Sequence, residues 1–397
     1  MLPLIVALCL FSLAGIIVGM FTGVTPGLHL NLVSVAAVGI LPALSLPLFL
    51  VFCFVISMAV THTIVDVLAS TYLGVPDENT VAGLLPAQQM VLDGRAHESV
   101  FFTILGSVFG VFVTVPLLFC LFWYLEFLQN ILAPLLGVLL LVIIGYLLFR
   151  EDERLLCVCI FLISGGFGTI VLSLSWMSQP LLPLLGGLYG GVGLVEIIMK
   201  NIQIPRQNSS RAAGPLSLLA VIGASITGIV AAFLPGIGSS QAAILAGRFF
   251  RTKNVHAQLT LVGGINTVNM VFSLATWIAL DKSRNGAIAA LASLGTPSFS
   301  IMIALILVCC IAATVAGGVA ILVSRRVCLL FERVNYRVLA SVILAFVLGL
   351  VWFFDGYVGI IIFLCATCLG MLCHTMGAPK HYLMGCLLCQ VLVFFLQ

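Results

Sequence analysis

GMFTGVTPGLHLNL, residues 19–32, sets Pro26 and Gly27 inside a run otherwise apolar enough to be one long buried helix. Proline lacks a backbone donor and clashes with the preceding turn, and glycine accepts conformations that other residues avoid. The pair therefore ends one helix and lets another start. In water such a break is an ordinary turn, so its meaning depends on the solvent.

The composition identifies that solvent. Hydrophobic residues fill 62% of the 397 positions, charged residues 7%, and mean hydropathy is +1.29, too little polar surface to cover a soluble globule. The chain reads as an all-α polytopic membrane protein, each crossing needing roughly 20 apolar residues. A net charge of +3 offers no footprint for nucleic acid. The longest polar stretches, 74–99 and 200–214, are loop-sized. The opening MLPLIVALCLFSLAGIIVGM has neither a basic leader nor a clear cleavage site, so it is expected to be a membrane segment rather than a secretion signal. Most of the 13 cysteines sit in apolar runs, including Cys309, Cys310 and the pairs Cys365/Cys368 and Cys386/Cys389. There they are expected to pack as small hydrophobes, with no metal site.

The opening motif recurs. GIVAAFLPGIGSSQAAIL, 228–245, lies over GMFTGVTPGLHLNLVSVA, 19–36, with Gly19 on Gly228, Pro26 on Pro235 and Gly27 on Gly236. INTVNMVFSLA, 265–275, lies over THTIVDVLAST, 61–71, and Gly145 and Gly166 fall on Gly349 and Gly370. Pro180 and Gly186 fall on Pro379 and Gly385. A common order at a nearly constant shift of about half the chain indicates a duplication.

Charge tests the relative orientation of the copies, because loops rich in lysine and arginine stay inside. Arg325, Arg326, Arg333 and Arg337 have no basic counterpart near Glu126; Arg248, Arg251 and Lys253 have none around 42–47; Lys380 and His381 oppose the neutral 178–182. The joint between the copies carries Lys200, Arg206 and Arg211 and should be inside. All of these contrasts favour inversion, an arrangement common in secondary transporters. The expected organisation is a first membrane repeat over 1–199, a cytoplasmic linker over 200–213 and a second, inverted repeat over 214–397. Each repeat starts with a Pro-Gly-broken hairpin, 4–42 or 215–247, followed by about five spans. These fall at 46–73, 99–123, 131–149, 155–175 and 181–198, then 257–280, 296–323, 338–354, 357–375 and 381–396, giving 10–12 spans in total.

A broken helix in lipid leaves backbone groups without partners, so the two breaks should be buried together or line a wet cavity. A helix restarting at Gly27 or Gly236 would point free N–H groups and the positive end of its dipole there, which attracts an anion. Small polar residues follow: His29 and Asn31 in one copy, Gly238, Ser239, Ser240 and Gln241 in the other. With Pro26, Gly27, Pro235 and Gly236 they form the substrate-binding candidates. The plainer reading of each break is a kink that shapes helix packing.

THTIVD, 61–66, supplies the second constellation. His62 and Asp66 share a helical face at four-residue spacing, and Asp66 lies deep in a predicted span, where an ionisable group is costly. It could carry a proton, hold a sodium ion with Asn266 and Asn269, or simply pair with His62. Thr63 and Thr267 add oxygens for the same cation, as do Thr61 and Ser273, unless they bond back to their own helices. Elsewhere Glu196 is expected to pair with Lys200, and GGFG, 165–168, to unwind its helix.

Together GMFTGVTPGLHLNLVSVAAVGILPAL, GVPDENTVAGLLPAQQMVLDGRAHES and FLPGIGSSQAAILAGRF resemble the TctA-type large membrane subunit of tripartite tricarboxylate transporters. The resemblance carries Pro26, Gly27, Pro235, Gly236 and Gly238 onto that family's paired breaks. The first break departs from it in reading PGLHLN, without the second glycine, and THTIVD replaces a glycine-rich stretch. What the resemblance implies is an ion-driven uptake permease for organic anions, working with a small membrane subunit and an extracytoplasmic binding protein.

The expected function is thus a secondary active transporter of a small organic anion such as a di- or tricarboxylate, multi-pass in the cell membrane. A sodium or proton gradient would drive it, with no other cofactor. The alternative is a translocase for a polyprenyl-phosphate lipid, whose headgroup the same hairpins would hold. The partners are then a small anion or a phosphate-bearing lipid, the bilayer and, if the chain self-associates, a second copy as a homodimer. An enzyme is not expected, since the chain has no HExxH, GxSxG or carboxylate dyad.

Overall fold

The computed structural model describes residues 2–25, 30–40, 47–73, 81–149, 151, 153–200, 207, 214–233, 238–250, 254–331 and 335–396. Every regular element among them is helical. In chain order these are α1 (Leu2–Val24), α2 (Leu30–Ile40), α3 (Leu48–Leu68), α4 (Val81–Leu92), α5 (Ala96–Phe122), α6 (Leu125–Leu132), α7 (Leu136–Phe149), α8 (Arg154–Leu172), α9 (Leu181–Leu185) and α10 (Val192–Lys200). Then come α11 (Leu218–Phe233), α12 (Ser239–Phe249), α13 (Val255–Leu280), α14 (Gly286–Ala292), α15 (Phe299–Phe331), α16 (Tyr336–Thr375) and α17 (Gly385–Leu396). Among the described residues, 8 helices are long and apolar enough to cross a membrane, and the chain is a multi-pass membrane protein. One of these, α16, contains 40 residues. That is about 60 Å of helix, twice the thickness of a hydrocarbon core. It divides at Gly356 (φ 62°, ψ −151°), a conformation open to glycine, where the sequence places a boundary between two spans.

The chain forms two compact units, and each takes segments from both sequence halves: 1–126 with 204–334, and 127–203 with 335–397. In the first unit, Gly15, Gly19 and Gly23 lie one turn apart on α1 and meet successive turns of α3: Phe54 and Ser57, then Met58 and Thr61, then His62 and Val65. The two helices therefore run parallel at close range, as small residues permit in lipid. In the same way Ala224 and Gly228 of α11 meet Gly264 and Val268 of α13. Helix α13 also runs parallel to α5, Gly106 meeting Thr260 and Gly110 meeting Gly264. Helix α15 runs parallel to α3, with Cys309 near Cys53 and Ser324 bonded to Tyr72.

The second unit uses the same device. Gly165 and Gly168 of α8 pack against Cys389 and Cys386 of α17, cysteine serving as a small packing residue. Helix α8 stays helical through GGFG. The expected unwinding does not occur, because these glycines provide a flat face for a neighbour rather than a break. Counterpart contacts join Gly187 and Gly191 to Ala366 and Thr367 of α16. Asp355, beside the α16 break, accepts bonds through Oδ1 from the Ser178 and Gln179 amides (2.7 and 3.1 Å), and Tyr382 donates to Glu151 Oε1 (3.0 Å). Glu196 meets His374 Nε2 at 3.3 Å. The Lys200 side chain, its sequence-predicted partner, lies outside the described residues.

The 74–99 stretch is long enough for a peripheral helix, and it holds one: Val81–Leu92 is helical, while Glu98 belongs to α5.

A side chain on Gly19 would bring its Cβ within 2.5 Å of the Met58 carbonyl, whereas a Cβ on Gly318 meets nothing within 4 Å. Gly19→Leu is expected to destabilise the protein by about 1–3 kcal/mol. Its thermal midpoint in detergent should fall by several degrees, while Gly318→Ala leaves the midpoint in place. Equal midpoints for the two variants would refute the close α1–α3 contact.

Candidate functional site

The site starts from one helix crossing. Phe52, early in α3, packs edge-on against Trp277, late in α13, with ring centroids 5.8 Å apart. Thr63 Oγ1 lies 3.4 Å from Thr267 Oγ1. Further along, Asn266 Nδ2 donates to Asp66 Oδ2 at 3.1 Å and to the Thr63 carbonyl at 3.2 Å. As α3 advances its partners on α13 recede, so the two helices cross antiparallel, and Thr63 meets the residue that the sequence match of 61–71 with 265–275 sets against it. Both helices are buried around this point, Asp66 being 6% exposed and Asn266 3%. In that setting an amide donor to the carboxyl group is worth more than it would be in water.

Asn269, one turn on from Asn266, donates through Nδ2 to Ser239 Oγ at 2.9 Å. Ser239 opens α12 and, with Ser240, is buried; Gly238 just precedes them. One polar layer therefore runs from the start of α12 through Asn269 and Asn266 to Asp66 and Thr63. It joins residues that the sequence assigned to two separate sets. His62 reaches α1 as well: its Nδ1 lies 3.0 Å from Thr22 Oγ1, and the Thr22 hydroxyl donates to Gly19 O, which leaves a lone pair for Nδ1–H. Ser273 bonds back to Asn269 O at 2.6 Å, the plainer of its two readings.

Pro26, Gly27, His29, Pro235 and Gly236 lie outside the described residues, as do the side chains of Asn31 and Gln241. The described chain stops at Thr25 and resumes with α2 at Leu30, and it stops at Phe233 and resumes at Gly238.

Beside Asp66 is a cavity with about 20 Å³ of room for the centre of a water molecule. Its polar lining comes from Thr63, Asp66, Ser70, Thr71, Thr103 and Asn266, its apolar wall in part from Gly83 and Ala87 of α4. That volume admits one water or one bare monovalent cation. It is far below the several hundred Å³ of an organic-ligand pocket. The Thr71 hydroxyl is fully buried with no hydrogen-bond partner among the described residues. It sits in a π-helical turn, Ala69–Leu73, that continues α3. Such turns are often found at functional sites. A carboxyl group, an amide and hydroxyls form a hard oxygen set, suited to a proton or an alkali cation.

Ser70 and Thr71 went unread in the sequence, although Ser70 is one turn beyond Asp66 and shares its face. Thr103 left a weaker signal, a threonine one turn before the Gly106/Gly110 stripe. At one end of α5 a second polar group gathers. His97 Nδ1 lies 3.0 Å from Ser324 Oγ, which is 2.9 Å from Tyr72 Oη. Arg95 binds Glu98 in a fork at 2.8 Å, and His256 Nε2 lies 2.9 Å from Glu98. Gln207, from the linker, bridges Ala96 N and Val91 O.

The sequence matches the family described as "Tripartite tricarboxylate transporter TctA family" over residues 9–385. It is also similar to "Uncharacterized protein MJ1079" of Methanocaldococcus jannaschii, with 26% identity over 406 residues spanning 98% of this chain and 99% of that protein. No solved structure matches.

Replacing Asn266 by leucine removes the donor to a buried carboxyl group. The expected loss is about 1–3 kcal/mol, with part of it recovered when Asp66 is also made leucine, because both polar partners are then gone. Thermal unfolding of Asp66→Leu, Asn266→Leu and the double variant measures this coupling. Strictly additive losses would mean that the two side chains do not interact.

Proposed function

The chain belongs to the tripartite tricarboxylate transporter TctA family. We propose that this membrane transporter component is a secondary active permease for a small organic anion such as a di- or tricarboxylate, driven by a sodium or proton gradient. The observation that carries the reading is the buried layer from Ser239 through Asn269 and Asn266 to Asp66, set beside a cavity that fits one ion. The layer puts substrate candidates within one helical turn of ion candidates, and coupling needs that proximity. Asp66, with Thr63, Asn266 and Thr267 around it, takes the ion or proton, and His62 orients α3 through Thr22.

Substrate binding is assigned to the starts of the helices after the two breaks: Pro26, Gly27, His29 and Asn31, and Pro235, Gly236, Gly238, Ser239, Ser240 and Gln241. The α12 end supports this, since buried serines at a helix start present donors to an anion. Inverted repeats are supported by the contacts themselves. The antiparallel crossing at Thr63 and Thr267 joins aligned residues. Each parallel contact, α1 with α3 or α5 with α13, has a counterpart in α11 with α13 or α15 with α3. A small membrane subunit and an extracytoplasmic binding protein are the further components that a tripartite system calls for.

The test is uptake of labelled citrate and malonate into proteoliposomes under imposed sodium or proton gradients, run beside a polyprenyl-phosphate flip assay. Gradient-driven uptake of a carboxylate is expected, and Asp66→Asn should lose gradient dependence while still binding substrate. Flipping without carboxylate uptake would replace this reading with the lipid one, and normal coupling in Asp66→Asn would remove Asp66 from the ion site.

A further inference from the structure

The connection between α13 and α15 does not stay at the membrane face. Helix α13 ends at Asp281, whose left-handed conformation (φ 51°, ψ 37°) reverses the chain. Thr296 donates to Asp281 Oδ1 at 3.0 Å, so the two ends of the 281–296 segment meet. Between them the chain turns inward. Asn285 Nδ2 reaches Met270 Sδ at 3.3 Å, although Met270 lies well back along α13. From Met270 to the end of the helix is about 15 Å of rise, and 281–285 in extended form spans about 17 Å. The segment is therefore re-entrant, running back beside α13 to one turn beyond Asn266. The Asn285–Met270 contact ties it to α13, while Asn285 Oδ1 caps α14 by accepting from Ile288 N at 2.9 Å.

Arg284 is carried inward with it. The residue is partly buried, and its Nε is fully buried with no hydrogen-bond partner among the described residues. Among the described residues no carboxylate pairs with it: Asp281 bonds Thr296, and Asp66 bonds Asn266. With Nε buried and no carboxylate partner among the described residues, its planar fork matches a carboxylate. Topology gives no other reason for the charge. Loops flanking this pair of spans carry their basic residues on the inner side, so Lys282 and Arg284 lie on the outer side, where the inner bias does not place them. The polar layer itself offers amides and hydroxyls but no positive charge.

We propose that Arg284, on the re-entrant segment, is the cationic contact for a carboxylate of the transported anion on its way in from the outer face. This rests on the permease reading above and adds the charge which that reading lacks.

Phenylglyoxal labelling of Arg284 in wild-type proteoliposomes, followed by mass spectrometry, tests the site without a variant and without transport. Citrate or malonate is expected to slow Arg284 labelling about tenfold or more and leave Arg95 unaffected. Labelling indifferent to both carboxylates, or slowed only by inorganic phosphate, overturns the proposal. In uptake assays Arg284→Gln should raise half-saturation for the carboxylate about 10- to 100-fold, with Arg284→Lys between it and wild type. Uptake with unchanged half-saturation in a well-folded Arg284→Gln overturns the Arg284 assignment and leaves the permease reading standing. Protection of Arg284 without any uptake keeps the anion site and removes the permease reading.

Discussion

A carboxyl group held in the middle of a membrane helix needs a donor from another helix, and here Asn266 provides it. One amide nitrogen reaches both Asp66 Oδ2 and the Thr63 carbonyl. It thereby fixes the depth and the rotation of α13 against α3. Sliding either helix by a turn would leave buried polar atoms on both without partners, at several kcal/mol each in hydrocarbon. The Phe52–Trp277 contact and the Thr63–Thr267 approach follow from that register. So does the position of Asn269, which reaches α12 through Ser239.

The hydrogen bond needs helices that approach closely, and glycine makes this possible. Lipid gives helices no hydrophobic reason to associate, so contact relies on dispersion and on backbones that can meet. In the first unit α13 is flanked on glycine faces by α5 and α11. In the second unit glycine and cysteine do the same for α8 with α17, and acidic groups at helix junctions bind the entry to the following helices through Asp355 and Glu151. The shared device serves different ends. The first unit surrounds a polar layer and a cavity, and the described contacts of the second are chiefly apolar packing with junction clamps.

Some of the site was legible because it rests on sparse signals in an apolar background. Asp66, Asn266, Asn269 and Thr267 stand out in runs of leucine, valine and alanine, and matching 61–71 with 265–275 sets Thr63 on Thr267. Partner choice was not legible. Four-residue spacing put His62 and Asp66 on one face, but it did not show that Thr22 and Asn266 on other helices also bond them. Periodicity describes one helix at a time, and both bonds come from other helices. Ser70, Thr71 and Thr103 were equally hidden, since hydroxyl residues are common in membrane helices and only a cavity distinguishes them.

The sequence by itself determined the solvent and the helical class, because these depend on composition and spacing along one chain. It also placed a boundary between spans at 354–357, where α16 breaks at Gly356. Tertiary structure alone decided that α13 crosses α3 antiparallel at aligned threonines and that GGFG is a packing face rather than a break. It also decided that the connection after α13 turns inward with Arg284. Each of these depends on which surfaces meet in space, and a linear pattern does not encode that when nearly every surface is apolar.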